Sequence, residues 1–290
     1  MKNRRVVPFL LLIPFMLVTA AVIAAVINVM VQGLGYIKAF GLTDFTLDYY
    51  KEVLRRPDFA ASLLVSLRIA VFSSVIASVL GTVICAALIR CRKASGGMLT
   101  VVRLPILVPH AVVAVFTVAL LSQTGIIPRI LYALGLLHNY NRFPDLLYGT
   151  SYTGAILAYI WKESPFVAYF TLALMKSVGE TLGEAAENLG ASPLRSFLDI
   201  TLPMSMPAIA QAFLMIFIFA FGGYEVPLLL GATKPKAFPV ATYIEFQAPN
   251  LKDRPYAMAM NGITLILSVV MALIYAVLMH RLLKKRGGRA

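Results

Sequence analysis

Charge is scarce in this sequence: 13% of residues are Asp, Glu, Lys or Arg, against about 25% in an ordinary soluble domain. With 60% apolar residues and a mean hydropathy of +0.83, that deficit excludes a soluble enzyme and a disordered tail. Cysteine is nearly absent. Cys85 and Cys91 do not share a helical face, and two cysteines make neither a disulfide framework nor a four-ligand metal site. His110, His138 and His280 fall in no H-E-x-x-H or comparable metal spacing. No G-x-x-x-x-G-K-[ST] run occurs, so the chain lacks a phosphate cradle of its own. Acidic residues are outnumbered, 13 to 26, leaving a net charge of +13. In so apolar a chain this balance reflects Lys and Arg gathered beside membrane spans on the cytoplasmic side, and nucleic acid is not expected as a partner.

What is abundant is long apolar runs. A span needs about 20 mostly apolar residues to cross about 30 Å of hydrocarbon. Six stretches qualify: 6–31, 63–89, 104–121, 152–178, 206–230 and 258–279. The first follows the basic start Lys2, Arg4 and Arg5; it is longer than the apolar core of about 7–15 residues of a cleaved signal, so it is expected to remain as a span. With the N-terminus inside, six spans return the C-terminus inside. The cytoplasmic segments then hold the larger share of Lys and Arg, although the outer loops are longer. The expected protein is an all-α integral membrane protein of six transmembrane helices, surrounded by lipid. It divides into a first span and outer loop (1–61), a transmembrane domain (62–281) and a basic cytoplasmic tail (282–290). No repeat relates the two halves.

One inner loop departs from the rest. Residues 179–205 carry Glu180, Glu184, Glu187 and Asp199 but a single base, Arg195. Leu182, Ala185, Ala186 and Leu189 stand at i, i+3, i+4 and i+7, which predicts a helix. Gly190 is placed to end it in the left-handed conformation. Ser192-Pro193 reads as an N-cap followed by proline at the first helical position of a second short helix. Leu202-Pro203 and Pro207 are expected to stop that helix and lead into the fifth span. A helix pair lying on lipid is the alternative, but interfacial helices usually carry Lys and Arg. The acidic character favours a protein partner.

The run Glu184-Ala185-Ala186, then Gly190, then Ile200-Thr201-Leu202-Pro203, resembles in residue and spacing the EAA loop. That loop marks the permease subunits of binding-protein-dependent type I ABC importers. The resemblance covers about 60–280 and implies the MetI-like permease fold and a bacterial inner-membrane location. It makes Glu184, Ala185, Ala186, Gly190, Ala191, Ile200, Leu202 and Pro203 the element that couples to a separate ATP-hydrolysing subunit. It also implies a second permease, a second copy or a homologue, and an extracytoplasmic substrate-binding protein. The chain itself would bind no cofactor, ATP being used by the partner ATPase. Residues 221–231, Phe-Gly-Gly-Tyr-Glu-Val-Pro-Leu-Leu-Leu-Gly, resemble the fifth-span ending of polyamine-type permeases, shared in part by ferric-ion and oxyanion permeases. The Trp-Asn pair common in sugar permeases is missing.

Charges inside spans are costly and usually line a cavity or pair with one another. Lys162, Glu163 and Glu225, with Tyr224 beside the last, are therefore expected at the pathway or the permease–permease interface, whereas Arg68 snorkels. His110, after Pro109 at the mouth of the third span, reads as a packing or end contact rather than a ligand. Two other classes compete. An ion-coupled carrier favours broken helices in both halves; Gly222-Gly223 reads as one break, and the first half is expected to have none. A membrane-embedded enzyme needs a cluster of His, Asp or Glu within the spans, and these charges form a poor set.

Overall fold

A computed structural model describes residues 7–91, 96–139 and 142–287. Lys2, Arg4 and Arg5, with Arg92, Lys93 and Arg289 of the other segments read as cytoplasmic, lie outside them. The described elements are helices: α1 (Val7–Gly33), α2 (Asp48–Arg55), α3 (Phe59–Arg90), α4 (Gly97–Leu107), α5 (His110–Leu121), α6 (Ile126–Ala133), α7 (Thr153–Val178), α8 (Glu184–Asn188), α9 (Pro193–Ser196), α10 (Leu202–Gly222), α11 (Glu225–Leu230), α12 (Phe238–Phe246) and α13 (Arg254–Gly287). Five described stretches are long and apolar enough to cross a membrane: Leu12–Gly33, Phe59–Arg90, His110–Ala133, Pro193–Gly222 and Leu251–Met279. The stretch read as the fourth span forms α7. Its 26 residues would reach about 39 Å, but Lys162, Glu163 and Lys176 lower its apolarity. Lys162 and Glu163 are tolerable because they are buried within the chain, whereas Lys176 is exposed in the last turn of the helix.

Two units divide the chain: 1–59 with 241–267, and 60–240 with 268–290. In the first, Thr46 and Asp48 cap α2 reciprocally. The Asp48 N–H donates to Thr46 Oγ1 at 3.1 Å, and that hydroxyl donates to Asp48 Oδ2 at 2.6 Å. The Thr46 hydrogen bond, then Lys51, holds the Asp48 carboxyl below its usual pKa. Arg56, just past α2, makes a bidentate pair with Glu245 at 2.8 and 3.1 Å, and its guanidinium lies 5.2 Å from the Tyr256 ring centre. The Glu245 hydrogen bond raises the Arg56 pKa above its usual value. Both partners are partly shielded, so Arg56→Ala is expected to cost about 1–2 kcal/mol, more than an open surface pair. Arg56→Lys should recover little of it, because an ammonium cannot make the fork. Thermal melts of the purified protein check both.

The second unit is organised around α7. Its C-terminal half packs with α3, α4 and α10 through Cys85, Leu88, Leu99, Ala168, Leu172, Met175 and Ile209. Further along, Ala77, Val167, Ala212 and Ile216 form a second cluster. Lipid supplies no hydrophobic drive between helices, so small residues that admit close backbone approach carry the contact. On α3 these are Ser66, Ser73, Ser74, Ala77, Ser78 and Gly81, all buried. Ser73 and Thr171 return their hydroxyls to carbonyls four residues back, at 2.6 and 2.9 Å. That satisfies them without water. Ser66 donates likewise to the Ser62 carbonyl at 3.3 Å, and its Oγ also accepts the Phe238 N–H at 2.8 Å, capping the start of α12.

Two spans depart from their expected form. The third, expected to be continuous over 104–121, is broken at Val108-Pro109. Proline has no N–H to continue the ladder and pushes the residue before it to extended backbone; Val108 takes φ −77°, ψ 127°. The first half therefore has a helix break after all. The fifth span begins at Pro193, because the second loop helix does not stop at Leu202-Pro203. A π-helical turn at Phe197–Thr201 carries it into α10. The wider turn accommodates the missing donor of Pro203 without ending the helix. The break read at Gly222-Gly223 is present, with Gly223 extended at φ −73°, ψ 131°.

Candidate functional site

The elbow between α8 and α9 is built by two helices that each pass through a π turn. On the incoming side α7 continues through Gly179–Gly183 into α8. Gly190 ends it at φ +95°, the left-handed region that favours glycine. On the outgoing side the Ser192 side chain accepts the Arg195 N–H at 3.3 Å, with Pro193 next to it, and α9 begins. The two π turns meet: Ser196 Oγ donates to the Gly183 carbonyl at 3.0 Å, and Gly183, Ser196 and Thr201 are buried there. Beyond that contact the elbow is bare. Leu189 is 91% exposed, and Leu182, Leu194 and Leu198 are also exposed. Glu184, Ala185 and Gly190 are exposed on the same tip, with Ala186 and Ala191 half-covered. Ile200, Leu202 and Pro203 lie half-buried on the outgoing arm. Arg195 pairs with Asp199, at 3.3 Å, one turn away.

A second constellation sits at the helix breaks. Tyr159, Lys162 and Glu163 share one face of α7 at i, i+3 and i+4. Lys162 is 5% exposed, and its Nζ donates to the carbonyls of Pro105, Ile106 and Val108 at 3.2, 3.2 and 2.6 Å. These carbonyls lie at and just past the end of α4, where helical partners run out, although Pro105 also accepts the Val108 N–H at 3.3 Å; a cation there also meets the negative end of the helix dipole. Glu163 is 9% exposed, and its Oε1 lies 3.1 Å from Nε2 of His110, the first residue of α5. The His110 ring packs on Phe219 of α10, centroids 4.5 Å apart. Tyr159 closes the set from below the other break: a Cβ on Gly223 would stand 2.5 Å from its hydroxyl.

Of the charged residues singled out in the spans, Lys162 and Glu163 thus turn onto α4 and α5 of the same chain. Tyr224 and Glu225, at the start of α11, are exposed. His110 is a packing and end contact, joined to Glu163. Arg103 was not among the residues the sequence singled out. It lies in α4, with its guanidinium 4.3 Å from the centre of the Tyr169 ring. Its place so close to Leu104, where the apolar run begins, was the available signal. Among the described residues no group of His, Cys, Asp or Glu could hold a metal ion.

Several apolar helices of spanning length, two of them broken, and an exposed elbow at the end of two extended helices define a multi-pass membrane transport subunit. Residues 77–284 match the family described as "Binding-protein-dependent transport system inner membrane component", and the chain belongs to it. It is a permease subunit of an ABC importer. It is 26% identical over 190 residues to the molybdenum transport system permease protein ModB of Haemophilus influenzae, covering 64% of this chain and 78% of that one. To the spermidine/putrescine transport system permease protein PotB of Salmonella typhimurium it is 25% identical over 253 residues, 86% of this chain and 85% of the relative. Its fold resembles a crystal structure of a bacterial ABC transporter involved in the import of the acidic polysaccharide alginate. The TM-score is 0.72 at 22% identity, over 96% of this chain and 98% of the other.

Proposed function

We propose that this chain forms half of a translocation pathway for a small cationic solute of the polyamine class, and that the elbow at 184–203 seats a separate ATPase subunit. The observation that carries the reading is the bare elbow. Four leucines, Leu182, Leu189, Leu194 and Leu198, stand exposed on a polar, acidic elbow, and apolar side chains exposed among polar ones in this way fit a protein contact. A second permease, the same chain or a homologue, completes the pathway, and an extracytoplasmic binding protein delivers the solute. The chain holds no cofactor; ATP binds and is hydrolysed on the partner. Closure of two ATPase subunits pushes the elbows, and the paired permeases rock between outward-open and inward-open states. Both termini lie on the cytoplasmic side of the inner membrane.

The cationic substrate rests on Glu225 and on the run 221–231. Glu225 is an exposed carboxylate one residue past Tyr224, at a break in the fifth span. It supplies a counter-charge for a passing cation at that break. Glu225→Gln is expected to cut uptake of a cation by about tenfold, a loss equivalent to about 1.4 kcal/mol, while the ATPase still co-purifies. The decisive assay is uptake in a deletion strain with polyamines, iron chelates and oxyanions side by side. Unaltered uptake of every cation tested in the Glu225→Gln variant would remove that residue from the pathway. Transport of oxyanions alone would remove the polyamine reading.

A further inference from the structure

The two helix breaks share one support. Lys162 fixes the end of α4, Glu163 reaches the start of α5, and Tyr159 lies against Gly223 at the end of α10. The outer pieces beyond the breaks, α5 and α11, pack against each other. They therefore form a leaf that lies on α7, joined to α4 and α10 through the extended residues at 108–109 and 223–224 and held at its far end where the Leu230 carbonyl accepts the Tyr148 N–H at 2.9 Å. The two fastenings on α7 differ in kind. Lys162 makes three hydrogen bonds to backbone carbonyls, and those of Pro105 and Ile106 cannot turn away without disturbing α4. Glu163 and His110 meet through a single pair of atoms at 3.1 Å, and both side chains can rotate. His110 also keeps its ring on Phe219, so releasing Glu163 does not by itself strand it.

We propose that the His110–Glu163 contact is the latch of a gate, and that α5 and α11 swing together as one leaf about the two breaks while Lys162 anchors the fixed side. His110 and Glu163 are then positioning residues: neither need touch the solute, and their contact sets how often the leaf leaves α7. The latch deepens the transport reading given above, since a gate has a purpose only on a pathway. The leaf's motion itself is a property of this chain and is measurable without ATP.

Ala114 provides the probe. It is fully buried and stands one turn after His110, on the face of α5 that His110 presents to α7. In full-length protein within its complex, with Cys85 and Cys91 changed to alanine, Ala114→Cys is expected to react slowly with a water-soluble maleimide. Adding Glu163→Ala should speed that labelling by about tenfold, within the range that loss of one specific contact produces. His110→Ala, which also gives up the packing on Phe219, should be at least as fast, and the double variant should be no faster than His110→Ala alone, because the Glu163 contact is already lost there. Glu163→Gln, which keeps an acceptor, should fall between. In transport assays the solute moved per ATP hydrolysed should drop in the same order. Unchanged labelling in the Glu163→Ala background, or additive acceleration in the double variant, overturns the latch. So does equal acceleration at Ala168→Cys, in the cluster on the C-terminal half of α7, which would mean general loosening. If labelling behaves as stated but no ATP-driven uptake occurs, the latch stands and the transport reading fails.

Discussion

Replacing Gly190 by valine is expected to abolish ATP-driven uptake while leaving the spans inserted. The residue lies at φ +95°, so any β-branched side chain strains the backbone, at a cost of about 1–2 kcal/mol. Yet a Cβ at this position would meet nothing within 4 Å in the chain itself. The added atoms would project outward, onto the surface assigned to the ATPase. Two kinds of damage are thus superimposed, and asparagine separates them. Gly190→Asn tolerates the left-handed conformation, so it restores the helix end but still places a side chain on the tip. If the elbow is a docking surface, Gly190→Asn should lose at least tenfold in uptake, about 1.4 kcal/mol, with the ATPase released or hydrolysing idly. Glu184→Lys, which reverses charge on the same exposed tip, should act likewise. Bound ATPase and full uptake in both Gly190→Asn and Glu184→Lys would show that Gly190 is only a helix stop.

Gly81→Val is expected to have the largest effect on folding. A Cβ there would stand 2.5 Å from the Ser164 carbonyl oxygen and 2.6 Å from Val167 Cβ. The nearest of these atoms is backbone on α7, so no rotamer change relieves the clash. Overpacking of a tight core costs about 1–3 kcal/mol, occasionally more, and here α3 would have to move away from α7 as a whole. The folded fraction recovered in detergent should collapse, and Gly81→Ala should already lower the melting temperature. A melt unchanged by Gly81→Ala would show that α3 and α7 are less closely held than their geometry requires.

The elbow was the most legible part of the sequence. Gly190, Ser192 and Pro193 each act through a conformational preference of their own type, and the left-handed helix end, the side-chain cap and the first-turn proline all follow. The break at Gly222-Gly223 was legible for the same reason. The break at Val108-Pro109 was not, because the apolar run continues through it and hydropathy carries no information on backbone hydrogen bonds. Pro203 misled in the opposite direction. A proline normally ends a helix, but a π turn placed just before it lets the helix through. The partners of Lys162 and Glu163 were also hidden. They lie more than fifty residues away along the chain, and helical periodicity relates only near neighbours. Isolated charges in a span announce that partners exist without naming them.

Lys162 also has a bearing on energy sources. In carriers driven by ion gradients, the carbonyls freed where a helix unwinds often hold a sodium ion that arrives from one side and departs to the other. Here the freed carbonyls of α4 are held by an ammonium that is covalently part of α7. A tethered cation neutralises the helix end permanently and cannot cross the bilayer, so it conveys nothing about a sodium or potassium gradient. α7 runs unbroken from Lys162 through its π turn to the elbow, so a displacement of the elbow reaches that break along one continuous helix.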